Sequence, residues 1–173
     1  MQDRELEWAI TLEIPHLRRY ALTLTRDADL ADDLVQSALE RALRKRWSWK
    51  RTGTVRSWMF SVLHRTFLDH QRSVRRRRHW TGLLQRERRE DIEHPPQEAW
   101  VERTSILDAL GRLPDEQRAV ILLVAVEGFA YDDVARVLNI PVGTVRSRLS
   151  RGREALSDLW DDHAERPRLR SVK

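Results

Sequence analysis

Two helical patterns separated by a break occupy residues 131–156, and this feature constrains the fold of the chain most. The first pattern covers Tyr131–Leu138 and the second covers Val142–Leu156. Asn suits a left-handed position at a helix end and Pro suits a helix start, so residues 139–141 predict a tight turn. One face of each helix is apolar: Val134, Ala135 and Leu138 in the first, and Val145, Leu149 and Leu156 in the second. The sequence therefore predicts a helix-turn-helix.

The opposite face of the second helix carries hydrogen-bond donors, namely Arg146, Ser147, Ser150 and Arg151. Arginine binds guanine edges or phosphates through two hydrogen bonds, and serine bonds to either. A solvated amphipathic hairpin with ordinary surface arginines has a similar apolar pattern. The breaker and the serines among the arginines favour a helix that lies in the major groove of DNA.

Apolar residues recur with helical spacing along nearly the whole chain, which predicts an all-α fold. The predicted helices lie near residues 5–25, 29–46, 54–78, 100–112, 115–127, 131–138 and 142–160. Residues 81–99 lack this pattern and contain two adjacent prolines, which indicates a flexible linker. We therefore expect two small helical domains, residues 1–80 and 100–162, followed by a polar, frayed tail over residues 163–173.

Charge is distributed unevenly along the chain. Residues 1–40 contain 4 Lys and Arg against 9 Asp and Glu, whereas residues 41–90 contain 16 against 3. The acidic segment suits a basic protein surface, and the basic segment suits the phosphates of nucleic acid.

Several classes of protein are excluded by what the sequence lacks. The chain has no cysteine, and its six histidines lack ligand spacing, so we expect no disulfide and no metal. No Gly-rich phosphate loop or nucleophile motif occurs, so we expect neither an enzyme nor a cofactor. The N-terminus is acidic and is not a signal peptide. The longest apolar run, Ala119–Val126, is shorter than the roughly 20 residues of a spanning helix, which predicts a soluble cytoplasmic protein without membrane insertion.

The predicted second and third helices each combine an apolar face with a second, polar face. In the second helix the apolar face is Leu30, Leu34, Val35, Ala38, Leu39, Ala42 and Leu43, and the polar face is Asp33, Gln36, Ser37 and Glu40. In the third helix Met59, Val62, Leu63 and Phe67 lie on one side, and Trp58, Arg65 and Arg72 lie on another. The aromatic and basic residues of the third helix together suit the binding of single-stranded nucleic acid. However, tryptophans are more often core residues, and a polar face like that of the second helix is often only solvated.

Residues 14–43, 55–72 and 113–156, taken in this order, resemble successive segments of an extracytoplasmic-function (ECF) sigma factor of bacterial RNA polymerase. The resemblance covers nearly the whole chain and implies only the two family domains called regions two and four. It implies a promoter-specificity subunit whose partners are core RNA polymerase, promoter DNA as duplex and as melted strand, and an anti-sigma factor. The N-terminal segment is similar to the general-stress-response subgroup.

The resemblance also assigns roles to individual residues. It implies that the polymerase clamp is contacted by Asp33, Gln36, Ser37, Leu39 and Leu43. It implies that the minus-ten element is opened and read by Lys50, Arg51, Thr52, Trp58, Arg65, Thr66, Asp69 and Arg72. It implies that the minus-thirty-five element is contacted by Thr144, Arg146, Ser147, Arg148, Ser150 and Arg151, with Thr144 and Arg148 on phosphates.

The chain departs from the family pattern at three positions. Arg65 stands where many members have Asn, which affects the expected base preference at minus ten. Ala130 replaces a frequent Ser or Thr helix cap, and Gly152 replaces a usual Ala inside the recognition helix, each at a cost of about 1 kcal/mol. A stand-alone helix-turn-helix regulator would explain residues 100–162 but leaves the first 80 residues without a role. A nucleic-acid-processing enzyme is a further alternative.

Overall fold

The computed structural model describes residues 3–45, 53–82 and 101–164, and within these ranges the chain is helical without any β-strand. The predicted all-α fold is confirmed. The helices are α1 (Asp3–Thr25), α2 (Ala28–Arg44), α3 (Val55–Gly82), α4 (Val101–Arg112), α5 (Asp115–Ile121), α6 (Tyr131–Leu138) and α7 (Val142–Ala164). No helix in the described part of the chain is long and apolar enough to cross a membrane.

Helices α1, α2 and α3 pack on one another and form the N-terminal half. Helix α1 ends because Arg26 adopts a left-handed conformation with φ of 58°. Helix α2 begins next to it because the Asp27 carboxylate accepts a hydrogen bond from the N–H of Leu30 at 3.0 Å. The interior of this half is filled by side chains from all three helices, including Leu17, Tyr20, Ala38, Met59, Phe60 and Leu63.

Helices α4 to α7 form the C-terminal half, in which α6 has the predicted bounds and α7 begins at the predicted residue. Asn139 occupies the left-handed position with φ of 54°, and the Pro141 carbonyl accepts hydrogen bonds from the N–H groups of Thr144 and Val145 in α7. Ala130 precedes α6 without a side-chain cap, as the sequence predicted. Val145 and Leu149 are buried, so α7 is seated by the residues that its apolar spacing indicated.

The segment after α5 differs from the predicted continuous helix over residues 115–127. The α-helix ends at Ile121 and a π-helical turn covers Leu122–Val126. The N–H of Glu127 then bonds to the carbonyl of Leu122 at 2.9 Å, and Gly128 takes a φ of 71° that suits glycine. This wider turn changes the direction of the chain and places Glu127 against the N-terminal half.

The two halves pack together, since α3 lies on α6 and α1 contacts α4 and α5. The rings of Phe60 and Phe129 meet edge to face at 5.1 Å, and the rings of Tyr20 and Phe60 meet edge to face at 5.4 Å. Aromatic contact therefore continues from α1 through α3 to the loop before α6. Helix α3 extends to Gly82, two residues into the predicted linker, and α7 extends to Ala164, into the predicted tail. Residues 83–99 and 165–173 lie outside the described residues.

Candidate nucleic-acid and polymerase interfaces

The outward face of α7 is exposed over its predicted base-reading residues. Arg146, Ser147, Ser150 and Arg151 all face solvent, and the neighbouring Val145 and Leu149 lie in the core. The Ser147 hydroxyl donates to the carbonyl of Thr144 at 3.1 Å. A helix with one face buried in the core and hydrogen-bond donors on its exposed face suits the reading of a DNA groove.

The two residues predicted to contact phosphate from α7 are partly covered. Thr144 and Arg148 are half-buried, and the Arg148 guanidinium pairs with the carboxylate of Glu116 in α5. The predicted phosphate contact of Arg148 would therefore compete with this ion pair. Gly152 is buried, and a Cβ at this position would lie 2.6 Å from Cδ1 of Ile121. The glycine that the sequence marked as unfavourable for the helix allows α7 to approach α5 closely.

Helix α3 brings the predicted minus-ten residues onto one side of the N-terminal half. Arg65, Asp69 and Arg72 are exposed, and Trp58 is half-buried. Asp69 accepts a hydrogen bond from Arg41 of α2 at 2.7 Å and lies 3.6 Å from Arg72. Its carboxylate therefore neutralises part of the basic surface and holds Arg41 in place.

Thr66 lies in a different environment from the other α3 residues. Its side chain is buried, and its hydroxyl donates to the carbonyl of Val62 at 2.8 Å. In this arrangement Thr66 does not offer its hydroxyl to DNA. Lys50, Arg51 and Thr52, also predicted to contact the minus-ten element, lie outside the described residues.

The C-terminal half covers part of this surface of α3. A cleft has the α3 residues Arg65, Asp69 and Arg72 on one wall and the α6 end, Val137 to Asn139, on the other. A second cleft is lined by Arg72 and Arg75 of α3 and by Arg148 of α7. The predicted minus-ten surface and the helix-turn-helix therefore lie next to each other.

The predicted polymerase-contacting residues occupy one side of α2. Asp33 and Gln36 are exposed, and Ser37 and Leu39 are half-buried. Leu43, which the apolar spacing placed in the inward stripe, is 44% exposed instead, because α2 ends within the next turn and the core is closed there by Ala42. A shallow depression beside this face is lined by Asp33, Gln36 and Ser37, among others.

Sequence reasoning missed the charged residues between the halves. Glu127 and Arg118 are buried, and Arg56 is partly buried. Glu127 lies far along the chain from its partners Arg19 and Arg56, as does Arg118 from the Leu24 carbonyl that it binds, so spacing carries no signal for these contacts. His64 is also buried, with Nδ1 3.2 Å from the Tyr20 hydroxyl. Burial, with a smaller contribution from the charge of Arg148, lowers the pKa of His64 to about 4.

No metal centre is formed by the residues that the structure describes, since no three of their His, Asp or Glu side chains come together.

Comparison with known proteins assigns both halves. The model of sigma-70 region 4 matches residues 103–156, and the model of the sigma2 domain of PhyR matches residues 10–64. The ECF RNA polymerase sigma factor EcfG of Rhodopseudomonas palustris is 36% identical over 157 residues, which cover 90% of this chain and 86% of that protein. This chain belongs to the ECF sigma factors. SigM of Mycobacterium tuberculosis, of the same family, is 36% identical over 83% of this chain and 70% of its own length.

Solved structures agree with the family and the fold. The sigma factor RpoE of Bartonella quintana, solved with the anti-sigma factor NepR, superposes with a TM-score of 0.76 at 30% identity, covering 91% of this chain and 98% of RpoE. The sigma factor is thus a subunit that directs RNA polymerase to promoters, and it is not a stand-alone helix-turn-helix regulator.

Proposed function

We propose that this sigma factor holds promoter DNA at two points through two domains, residues 1–80 and 100–162. The face of α2 with Asp33 and Gln36 docks on core polymerase. The arginine and serine face of α7 binds the minus-thirty-five element as duplex, and the basic side of α3 binds the melted minus-ten strand. The observation that carries this proposal is the exposed donor face of α7 on a buried seat, in a chain with sigma region 4 similarity.

Binding energy opens the promoter in this proposal, and polymerase performs the catalysis. Unstacking a base costs a few kcal/mol, which stacking on aromatic side chains and phosphate contacts offset. Trp58, Arg65 and Arg72 supply an aromatic ring and two cations along α3. The presence of Arg65 in place of Asn alters the base that is preferred at minus ten.

We further propose that an anti-sigma factor of the NepR type controls this protein in the cytoplasm during a stress response. The similar sigma factor RpoE is bound by NepR in its solved structure. PhyR, whose sigma2 domain matches the N-terminal half, is an anti-anti-sigma factor that binds NepR. Binding of a purified NepR-type protein to this chain, and loss of transcription upon binding, would support this part of the proposal.

Transcription by reconstituted holoenzyme tests the main proposal. Core polymerase with this protein should initiate at specific genomic promoters, and sequencing the transcripts identifies the two elements. Asp33→Arg should weaken polymerase binding at least tenfold, because it places a cation against a basic surface. Asp158→Arg, an equal change of charge on exposed α7, is the control and should bind as the wild type does. Unchanged binding by Asp33→Arg would make the docking assignment wrong.

A further inference from the structure

Arg148 differs from the other arginines on the DNA-facing side of α7, because a carboxylate of the same half already binds it. Its Nη2 donates a hydrogen bond to Oε2 of Glu116, in the first turn of α5. Arg146 and Arg151, in contrast, are exposed to solvent. The arginine that is predicted to contact phosphate is thus the one that an internal anion holds.

Glu116 lies on the solvent side of this ion pair. Its side chain is 69% exposed, whereas that of Arg148 is 22% exposed. The partial positive charge at the N-terminus of α5 favours a carboxylate in this first turn. A DNA phosphate that approaches Arg148 from solvent therefore meets the carboxylate first and has to displace it.

The ion pair is of a kind that a phosphate can replace. Glu116 and Arg148 share one hydrogen bond, whereas the exposed pair of Arg18 and Asp32 shares two, at 2.6 and 2.9 Å. Arginine–carboxylate pairs with two parallel bonds are the stronger and more specific ones. Carboxylate and phosphate are alternative partners for the same guanidinium, so each weakens the binding of the other.

The neighbouring carboxylate of Asp115 has different partners. It accepts hydrogen bonds from Gln71 of α3 and from Arg118 of its own helix. Of the acidic side chains that the structure describes, Glu116 is the one that pairs with Arg148. Competition with phosphate is therefore a property of Glu116 and not of the acidic first turn as a whole.

We propose that Glu116 is an internal competitor of DNA phosphate for Arg148. Phosphate contacts carry no sequence information, so the competition weakens the sequence-independent part of the affinity and leaves the base contacts of Arg146 and Arg151 unchanged. Because non-promoter sites vastly outnumber promoters in a genome, weaker sequence-independent binding leaves less of the sigma factor on non-promoter DNA. This inference rests on the proposed function of α7.

A double-mutant cycle in the holoenzyme tests the competition. Wild type, Glu116→Gln, Arg148→Ala and the double variant are compared for binding to a promoter duplex and to a scrambled duplex at fixed salt. Glu116→Gln keeps the shape of the side chain and removes its charge, so it should raise both affinities by about threefold, the size expected for a partly exposed ion pair. In the Arg148→Ala background the same change should have a much smaller effect.

Two further measurements isolate the contact. Asp158→Asn removes an equal charge from an exposed position of α7 and should have the same small effect with and without Arg148. Arg148→Ala should reduce the slope of log affinity against log salt concentration by about one, as expected for one lost phosphate contact. An unchanged slope would show that Arg148 does not bind phosphate and would overturn the proposal.

The direction of the change in affinity decides between competition and support. If Glu116→Gln lowers the affinity, Glu116 orients Arg148 for DNA, and the proposal is wrong. If it raises the affinity equally with and without Arg148, the effect is one of overall charge, and the proposal is wrong as well. Urea unfolding establishes that the variants are folded, and Glu116→Ala is a second uncharged variant that should give the same gain.

Failure of this inference is distinguishable from failure of the proposed function. A wild-type holoenzyme that binds the promoter no better than the scrambled duplex would contradict the proposed function. A wild type that prefers the promoter, with no coupling between Glu116 and Arg148 in the cycle, would contradict only the competition.

Discussion

Helices α3 and α7 both present arginines that are predicted to contact DNA, but their surroundings differ. Around Arg146 and Arg151 the surface of α7 is open to solvent. Around Arg65 and Arg72 the surface of α3 is partly enclosed by α6, and it contains Asp69, which pairs with neighbouring arginines. The exposure of the α7 arginines therefore depends only on α7 and the helices of its own half. The exposure of the α3 arginines depends also on where the C-terminal half lies.

The largest expected effect concerns His64, which lies beneath the enclosed surface. The pKa of His64 is lowered from 6.5 to about 4 in the folded protein, so the unfolded chain binds the proton more tightly. This contribution to folding stability is complete above pH 6.5 and is lost as the pH falls from 6.5 towards 4, by about 3 kcal/mol. Urea unfolding at several pH values should show this decrease in the free energy of unfolding.

His64→Gln is the matched variant because it does not titrate and still offers a polar group to the Tyr20 hydroxyl. The difference in unfolding free energy between the wild type and this variant should change by about 3 kcal/mol across the window from pH 6.5 to 4. Parallel pH profiles for the two proteins would mean that His64 is solvated in the folded protein.

The next effect concerns the open surface of α7. Arg146→Ala or Arg151→Ala should weaken holoenzyme binding by about 1–3 kcal/mol and relax specificity at one base pair, whereas Arg148→Ala should weaken binding to all sequences similarly. Arg153→Ala, on an exposed part of the same helix, is the control and should have little effect on specificity. Binding at fixed salt to promoters altered at single positions measures this. Equal losses on specific and scrambled promoters would exclude groove reading by these arginines.

The smallest effect concerns the seat of α7 on α5. Gly152→Ala gains up to about 1 kcal/mol of helix propensity but places a Cβ 2.6 Å from Ile121 Cδ1. Because overpacking costs about 1–3 kcal/mol, we expect a net loss of about 1 kcal/mol in unfolding free energy.

In the Ile121→Val background, which removes Cδ1 but keeps a carbon 3.3 Å from the added Cβ, Gly152→Ala should cost less stability than it does in the wild type. Urea unfolding of the four proteins in this double-mutant cycle measures the coupling. Additive effects would show that the close approach of α7 to α5 is not the reason for the glycine.

Features that depend on residues close together in the sequence were predicted, and features that depend on distant residues were not. Residues within one or two helical turns determine the turn at Asn139 and Pro141 and the burial of Val145 and Leu149. The spacing of residues in the sequence was therefore enough to predict these features. The π-helical turn before Glu127 and the exposure of Leu43 were not predicted, because each depends on where a helix ends and on what packs beside that end. The roles of Lys50, Arg51 and Thr52 stay predictions.

By itself the sequence determined an all-α chain, a helix-turn-helix and the family resemblance that comparison with known proteins then confirmed. These depend on helical periodicity, turn residues and motif order, which are local properties of the chain. Only the tertiary structure revealed that Glu127 binds Arg19 and Arg56, at sequence separations of 108 and 71 residues. Whether a charged side chain is solvated or buried in an ion pair depends on which distant elements pack against it, and no spacing in the sequence records that.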